Sequence, residues 1–167
     1  MPSLISTAPA LSLVVATALA MTAAPASAQI QRKDLSVDTA LLIATATMAQ
    51  CKTNGFAVSV AVVGRNGEIL VHLRGDNTGP HTIENSLKKA FTSRTFRIHS
   101  GEMEDRLKKN PQMGAQYLTG FTTGRGALPI KIGDDTVGAV GASGAPGGDK
   151  DEACVQAGIA KAADLLK

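Results

Sequence analysis

Apolar residues recur at two periods along this chain, and the switches between them mark its elements. From Ser36 to Asn54, the residues Val37, Leu41, Ala44, Met48 and Cys51 fall at alternating steps of four and three, the spacing of one buried helical face. Ser36 can cap that helix, Asp38 suits the positive end of its dipole, and Asn54-Gly55 stops it. The period then drops to two. Residues 56–63 and 68–74 alternate as strands around Asn66-Gly67, the dipeptide most favoured in a tight hairpin turn. With those two residues in the turn, Arg65 faces Glu68, Val62 faces Val71 and Val60 faces Leu73. One face then carries Val58, Val60, Val62, Ile69, Val71 and Leu73, which is core. The other carries Ser59, Ala61, Val63, Leu70, His72 and Arg74, a mixed surface suited to a helix of small residues, a ligand or another subunit.

Helical spacing returns after a Gly/Pro/Asn-rich loop at 75–80. A helix is predicted over 82–99, with Ile83, Leu87, Ala90, Phe91 and Arg94 on one side and Lys88, Lys89 and Thr92 on others. A second, over 100–110, has acids early and lysines late and ends at Asn110-Pro111, an order that dipole complementarity explains. Three more strands are expected at 117–122, 127–132 and 136–143, making five in all. Pro129 cannot donate a ladder bond, so its strand belongs at an edge or begins there. Gly138 and Gly141, beside Ala139 and Ala142, let another backbone or a flat ligand approach closely. A closing helix over 149–166 opens with Asp149 and Glu152 at capping-box spacing. Hairpin, Gly/Pro-rich loop and helix thus occur twice, which places two loops at the same end of one sheet.

Composition adds limits to this outline. The apolar run from Leu11 to Ala20 followed by Ala26-Ser27-Ala28 has the form of a cleavable export signal, although no Lys or Arg precedes Arg32. The run is shorter than the roughly 20 residues that cross a bilayer, so no permanent membrane anchor is expected. Residues 1–28 are therefore read as a leader and 29–167 as one domain, periplasmic or secreted. A net charge of +3 and 3% aromatic residues exclude a nucleic-acid platform. In an exported protein Cys51 and Cys154 form a disulfide or stay as two buried thiols.

Motifs for common chemistry are missing. GAVGASGAPGGDK has neither GxGxxG nor GK[ST], and acids open the helix behind it, so it does not cradle phosphate. The sequence has no CxxCH for covalent haem and no HExxH. Ser143 departs from G-x-S-x-G because Ala145 stands where the second glycine belongs. The best single candidate is His81, an imidazole at the mouth of the 82–99 helix, free to accept a proton or a metal.

These segments carry a resemblance. NGFAVSVAVVGRNGEILVHLRGD, GPHTIENSLKKAFTS and ALPIKIGDDTVGAVGASGAPGGDKDEAC resemble the GlcG/HbpS-like family of haem-binding proteins, sometimes labelled haem-degrading, over nearly all of 33–167. The resemblance implies an α+β domain with a five-stranded antiparallel sheet flanked by helices, homo-oligomeric assembly, and non-covalent binding of haem or a related tetrapyrrole. Haem needs an axial donor, an apolar slot and cations for its propionates. His81 would supply the donor, the Gly/Ala-rich strand would line the slot, and Arg74, Lys88 or Arg94 would meet the carboxylates. His72, His99, Met103, Met113 and Tyr117 are rival donors with structural roles of their own, and Asp76 and Glu84 are candidates for loose iron. The expected function is storage, scavenging or presentation of haem, with a haem-degrading or peroxidase-like enzyme and a non-catalytic interaction module as the alternatives.

Overall fold

In the computed structural model the described residues are Ile30 and 32–167, so the leader expected at 1–28 lies outside them. Helix α1 (Val37–Thr53) starts where the Ser36 hydroxyl accepts the Thr39 N–H at 3.2 Å. Its buried stripe differs from the expected one. Ala40, Ile43, Ala44, Thr47 and Cys51 face inward, while Val37 and Leu41 are 56% and 45% exposed. Both stripes have helical spacing, and close approach decides between them. Gly158 of α4 (Gly148–Lys161) sits so near Ile43 that a Cβ there would lie 2.8 Å from the Ile43 carbonyl oxygen. A bulkier side could not be brought so close. Cys51 and Cys154 close a disulfide between these two helices with Cα atoms 5.3 Å apart.

Four antiparallel strands, β1 (Ser59–Val63), β2 (Ile69–Leu73), β3 (Ala127–Ile132) and β4 (Asp135–Ser143), form one sheet in the order β2-β1-β4-β3. Pro129 thus lies on an edge strand, as its missing N–H requires. The β1–β2 register pairs Val60 with Leu73 and Val62 with Val71, as the alternation predicts. The turn is longer than expected. Gly67 takes φ +84° and donates to Gly64 O at 3.1 Å, so Arg65 and Asn66 form the tip and the register shifts after Val62. Arg65 is thereby freed from Glu68. Its guanidinium donates to Asp34 at 2.7 Å and to both Asp135 oxygens at 2.9 and 2.7 Å, tying the chain ahead of α1 to the β3–β4 turn.

The expected strand at 117–122 does not form, and the sheet has four strands rather than five. Gly114–Tyr117 is a 3-10 turn, Tyr117 and Leu118 are 82% and 50% exposed, and Gly120 has φ +81°. Thr122 finds its hydrogen bonds on a helix. Its N–H donates to Thr92 Oγ1 at 3.0 Å and its carbonyl accepts from that hydroxyl at 3.1 Å, while Phe121 packs edge-on against Phe96.

One face of the sheet, with Val60, Val62, Val140 and Ile130, packs under α1 and α4 as the main core. The other, with Ala61, Val63 and Ala139, is covered by α2 (His81–Phe96). That helix lies almost in contact with the sheet backbone, since a Cβ on Gly141 would stand 2.5 Å from Ser86 O and 2.7 Å from Ala90 N. The close approach expected at Gly141 is therefore a helix. Arg97, left-handed at φ 59°, ends α2 and leads into α3 (Ser100–Lys109).

Past the end of β4 a buried ion pair joins α2 to α4. Lys89 Nζ donates to Asp151 Oδ2 at 2.8 Å and to Ala142 O at 3.0 Å, and Asp151 Oδ1 accepts the Ala145 N–H at 3.0 Å. Asp151 thus organises the start of α4, where Asp149 had been expected to cap and Gly147 instead takes the N-cap position without a side-chain bond. Burial pushes the Asp151 carboxyl above its ordinary value, against the opposing pull of Lys89. Desolvation therefore outweighs the attraction. Lys89→Met alone or Asp151→Asn alone is expected to lose about 3–5 kcal/mol in urea unfolding, because each strands one buried polar partner. The double variant Lys89→Met, Asp151→Leu should lose less than either, and a loss equal to the sum of the singles would sink this account. Gly141→Ala should cost about 1–3 kcal/mol in the same assay, the range for overpacking, and an unchanged midpoint would show that α2 can lift at no cost.

Candidate functional site

The loop 75–80 is held by hydroxyls. Thr78 Oγ1 donates to Gly75 O at 2.9 Å, Thr82 Oγ1 to Gly79 O at 2.8 Å, and the buried Ser59 hydroxyl lies 2.8 Å from Thr82 Oγ1. Asn77 absorbs the reversal of direction at φ 60°. Arg74, exposed just past β2, donates to Thr78 O at 3.0 Å. Its immediate effect is to brace the loop. Pro80, with helical backbone angles and no N–H to satisfy, launches α2, so His81 is the first helical residue.

His81 is exposed, and among the described residues its imidazole has no hydrogen-bond partner. The Cε1–Nδ1 edge of the ring lies over Gly79, where a Cβ would approach within 2.9–3.0 Å. His72 has the opposite fate. Its Nε2 is 2.8 Å from Ile83 O, which as a carbonyl only accepts, so that nitrogen carries the proton and fastens the first turn of α2 to β2. Asn85 repeats the device by donating to the buried Ser143 hydroxyl at 3.0 Å.

From His81 one stripe of α2 runs through Glu84, Leu87, Lys88 and Phe91. Between it, Gly67 of the hairpin turn, Ile69 of β2, and Leu118 to Phe121 lies an open groove of about 650 Å³. Apolar side chains line most of it. Its charged members are Lys88 and Glu84, joined Nζ to Oε1 at 2.6 Å, and this hydrogen bond holds the Glu84 carboxyl below its ordinary value. Seven residues separate Lys88 from His81, which is about two turns and roughly 10 Å along the same side of a helix.

Of the residues singled out from the sequence, His81 and Lys88 share one stripe of α2, Arg74 braces the loop that precedes the helix, and Arg94 stands apart. Thirteen residues beyond His81, Arg94 is roughly 20 Å away and turned by about 140°. Burial, then the nearby Arg97 and Arg65 charges, lower its pKa, and its Nε is buried with no partner among the described residues. The Gly/Ala-rich strand does not line a slot, because α2 itself fills the space over Gly141. Among the rival donors, Met103 is 1% exposed, Tyr117 is 82% exposed and outside any strand, and His99 pairs with Glu152 at 3.2 Å. Asp76 stays in the exposed loop, and Met113 begins the 3-10 turn. Sequence reasoning missed the opposite wall of the groove. Leu118, Gly120 and Phe121 had been assigned to a strand, and the signal against it was a glycine inside the alternation, Gly120, which takes φ +81° in the structure.

The structure is similar to solved proteins over most of its length. A crystal structure of HbpS is 36% identical, with 83% of this chain and 96% of that one aligned and a TM-score of 0.77. A double mutant of HbpS from Streptomyces reticuli is 34% identical over 91% and 97%, also at 0.77. PduOC, solved as a complex with haem, is 20% identical over 77% and 95% at 0.71, which shows a shared fold. No curated protein matches the sequence. The family model described as haem degrading protein HbpS-like matches residues 35–160. With that match spanning most of the chain, and with 36% identity to HbpS over 83% of it, the chain belongs to the HbpS-like family.

Proposed function

We propose that this protein binds haem non-covalently along the outer stripe of α2 and serves to store, scavenge or present it. One observation carries the reading: an exposed imidazole, His81, unpartnered among the described residues, lies on the same helical stripe as Lys88 and about two turns before it, Lys88 being the cation of the apolar groove. The residues fit the group. His81 would offer an axial nitrogen, Leu87, Phe91, Leu118 and Phe121 an apolar wall, and Lys88, with Arg74 near the loop, charge for propionates. When bound, the haem supplies an iron centre whose chemistry is set by that axial donor and by access of water. Arg94 lies too far along the helix to meet the same ligand. Membership of a family described as haem degrading and the haem complex of PduOC support the choice of ligand.

Export belongs to the same proposal. The Cys51–Cys154 bond supports it, because oxidising compartments are where such bonds persist. So does homo-oligomeric assembly, which the exposed Val37 and Leu41 favour by offering an apolar strip with no partner among the described residues.

Haemin titrated into the purified chain should give a saturable, one-per-subunit Soret shift, and His81→Ala should abolish it or move it to the position of free haemin. Equal shifts in both proteins would place the site elsewhere, and no saturable shift in wild type would end the haem reading. Loss of the Soret band with iron release under reductant and oxygen would mark a degrading enzyme instead of a store. For the assembly, sedimentation should show a discrete oligomer that Val37→Glu with Leu41→Glu disperses; a monomeric wild type would remove that part.

A further inference from the structure

Resting on the haem reading above, we infer that Glu84 is a specificity-determining residue of the groove, an internal anion that occupies the cation intended for a ligand carboxylate. Among the described residues that line the groove, Lys88 is the one cation and Glu84 the one anion, and they are paired at 2.6 Å. The pair closes the polar side of an otherwise apolar surface formed by Ile69, Leu87, Phe91, Leu118 and Phe121. Glu84 also stands between His81 and Lys88 on the same helical stripe, at three and four residues from each. Any ligand that reaches from the imidazole to the ammonium therefore passes over the Glu84 carboxylate.

The electrostatic consequence follows from sign. Lys88 has a single charge to offer, and in the free protein Glu84 holds it. A propionate can take that place only by displacing Glu84, and it then lies beside a carboxylate of like charge. The displaced group is not trapped, since the Glu84 side chain is 67% exposed and can turn to water. The exchange is thus small in free energy and reversible. It lowers affinity for carboxylate-bearing ligands without abolishing it, which suits a protein that releases what it holds. A purely local role for Glu84 would come from its position in the first turn of α2 and its i,i+4 spacing to Lys88, both of which stabilise a helix. That role predicts an effect on stability and none on ligand affinity.

The test compares haemin with haemin dimethyl ester, in which both carboxylates are masked, using the full chain and Soret titration. Glu84→Gln should bind haemin about two- to fivefold more tightly than wild type, the range expected for releasing an exposed ion pair. It should leave the affinity for the ester unchanged. Lys88→Met should weaken haemin binding more in the Glu84→Gln background than in wild type, because only there is the ammonium unoccupied. Equal haemin affinities for wild type and Glu84→Gln, or an ester that gains as much as haemin, would overturn the inference while leaving haem binding in place. The absence of any saturable Soret shift in wild type would instead overturn the haem reading, and this inference with it.

Discussion

The contact between α2 and the bare backbone of β4 governs the layout of this molecule. At Gly141 the helix sits where a single methyl group would collide with Ser86 O and Ala90 N. Because the strand surface beneath is made of Ala61, Ala139 and Gly141, the helix axis comes close enough for side chains on its flanks to reach the sheet edges. His72 then meets Ile83 O on one side, Asn85 meets Ser143 on another, and Lys89 reaches past Ala142 to Asp151. Raised by even one ångström, α2 would lose all three, since hydrogen bonds weaken quickly beyond about 3.2 Å. The position of His81 is therefore set by a contact about one and a half to two and a half turns away.

The same seating divides polar labour along α2. Its inner side carries groups that are buried and fully engaged, Thr82, Ser86, Lys89 and Thr92. Its outer side carries His81, Glu84 and Lys88, which are paired only with each other or with nothing among the described residues. Buried groups fasten the helix, so the outer ones remain free for a ligand. Adjacent lysines illustrate the division. Lys88 is partly exposed in the groove, while Lys89, one step or about 100° round the helix, lies with its side chain 5% exposed against Asp151.

Much of this was readable from spacing. The β1–β2 register from Val60 to Val62 followed from matching alternation on both strands, where the core face forbids a slip. The longer turn shifts it by one at Val63–Ile69 and turns Ile69, expected in the core, out to the groove. The edge position of Pro129, the Ser36 cap and the start of α2 behind Gly79-Pro80 are local chemistry and were legible for that reason. The fifth strand failed because alternation in Tyr117 to Thr122 has no neighbour with which to pair. Its backbone was claimed by Thr92, a residue 30 positions away. In α1 the choice between two stripes of equal spacing depended on how closely α4 could approach, which no property of α1 alone encodes.

By itself, then, the sequence determined the four α-helices, the two hairpins, the loop that presents His81 and the family resemblance, since each depends on residues a few positions apart or on a linear motif. Tertiary structure alone decided which glycine receives a helix, which lysine is buried, how Cys51 meets Cys154 across 103 residues, and that Leu118 to Phe121 face α2 to make a groove. These depend on surfaces from distant segments competing for the same space. Periodicity within one segment carries no record of the outcome.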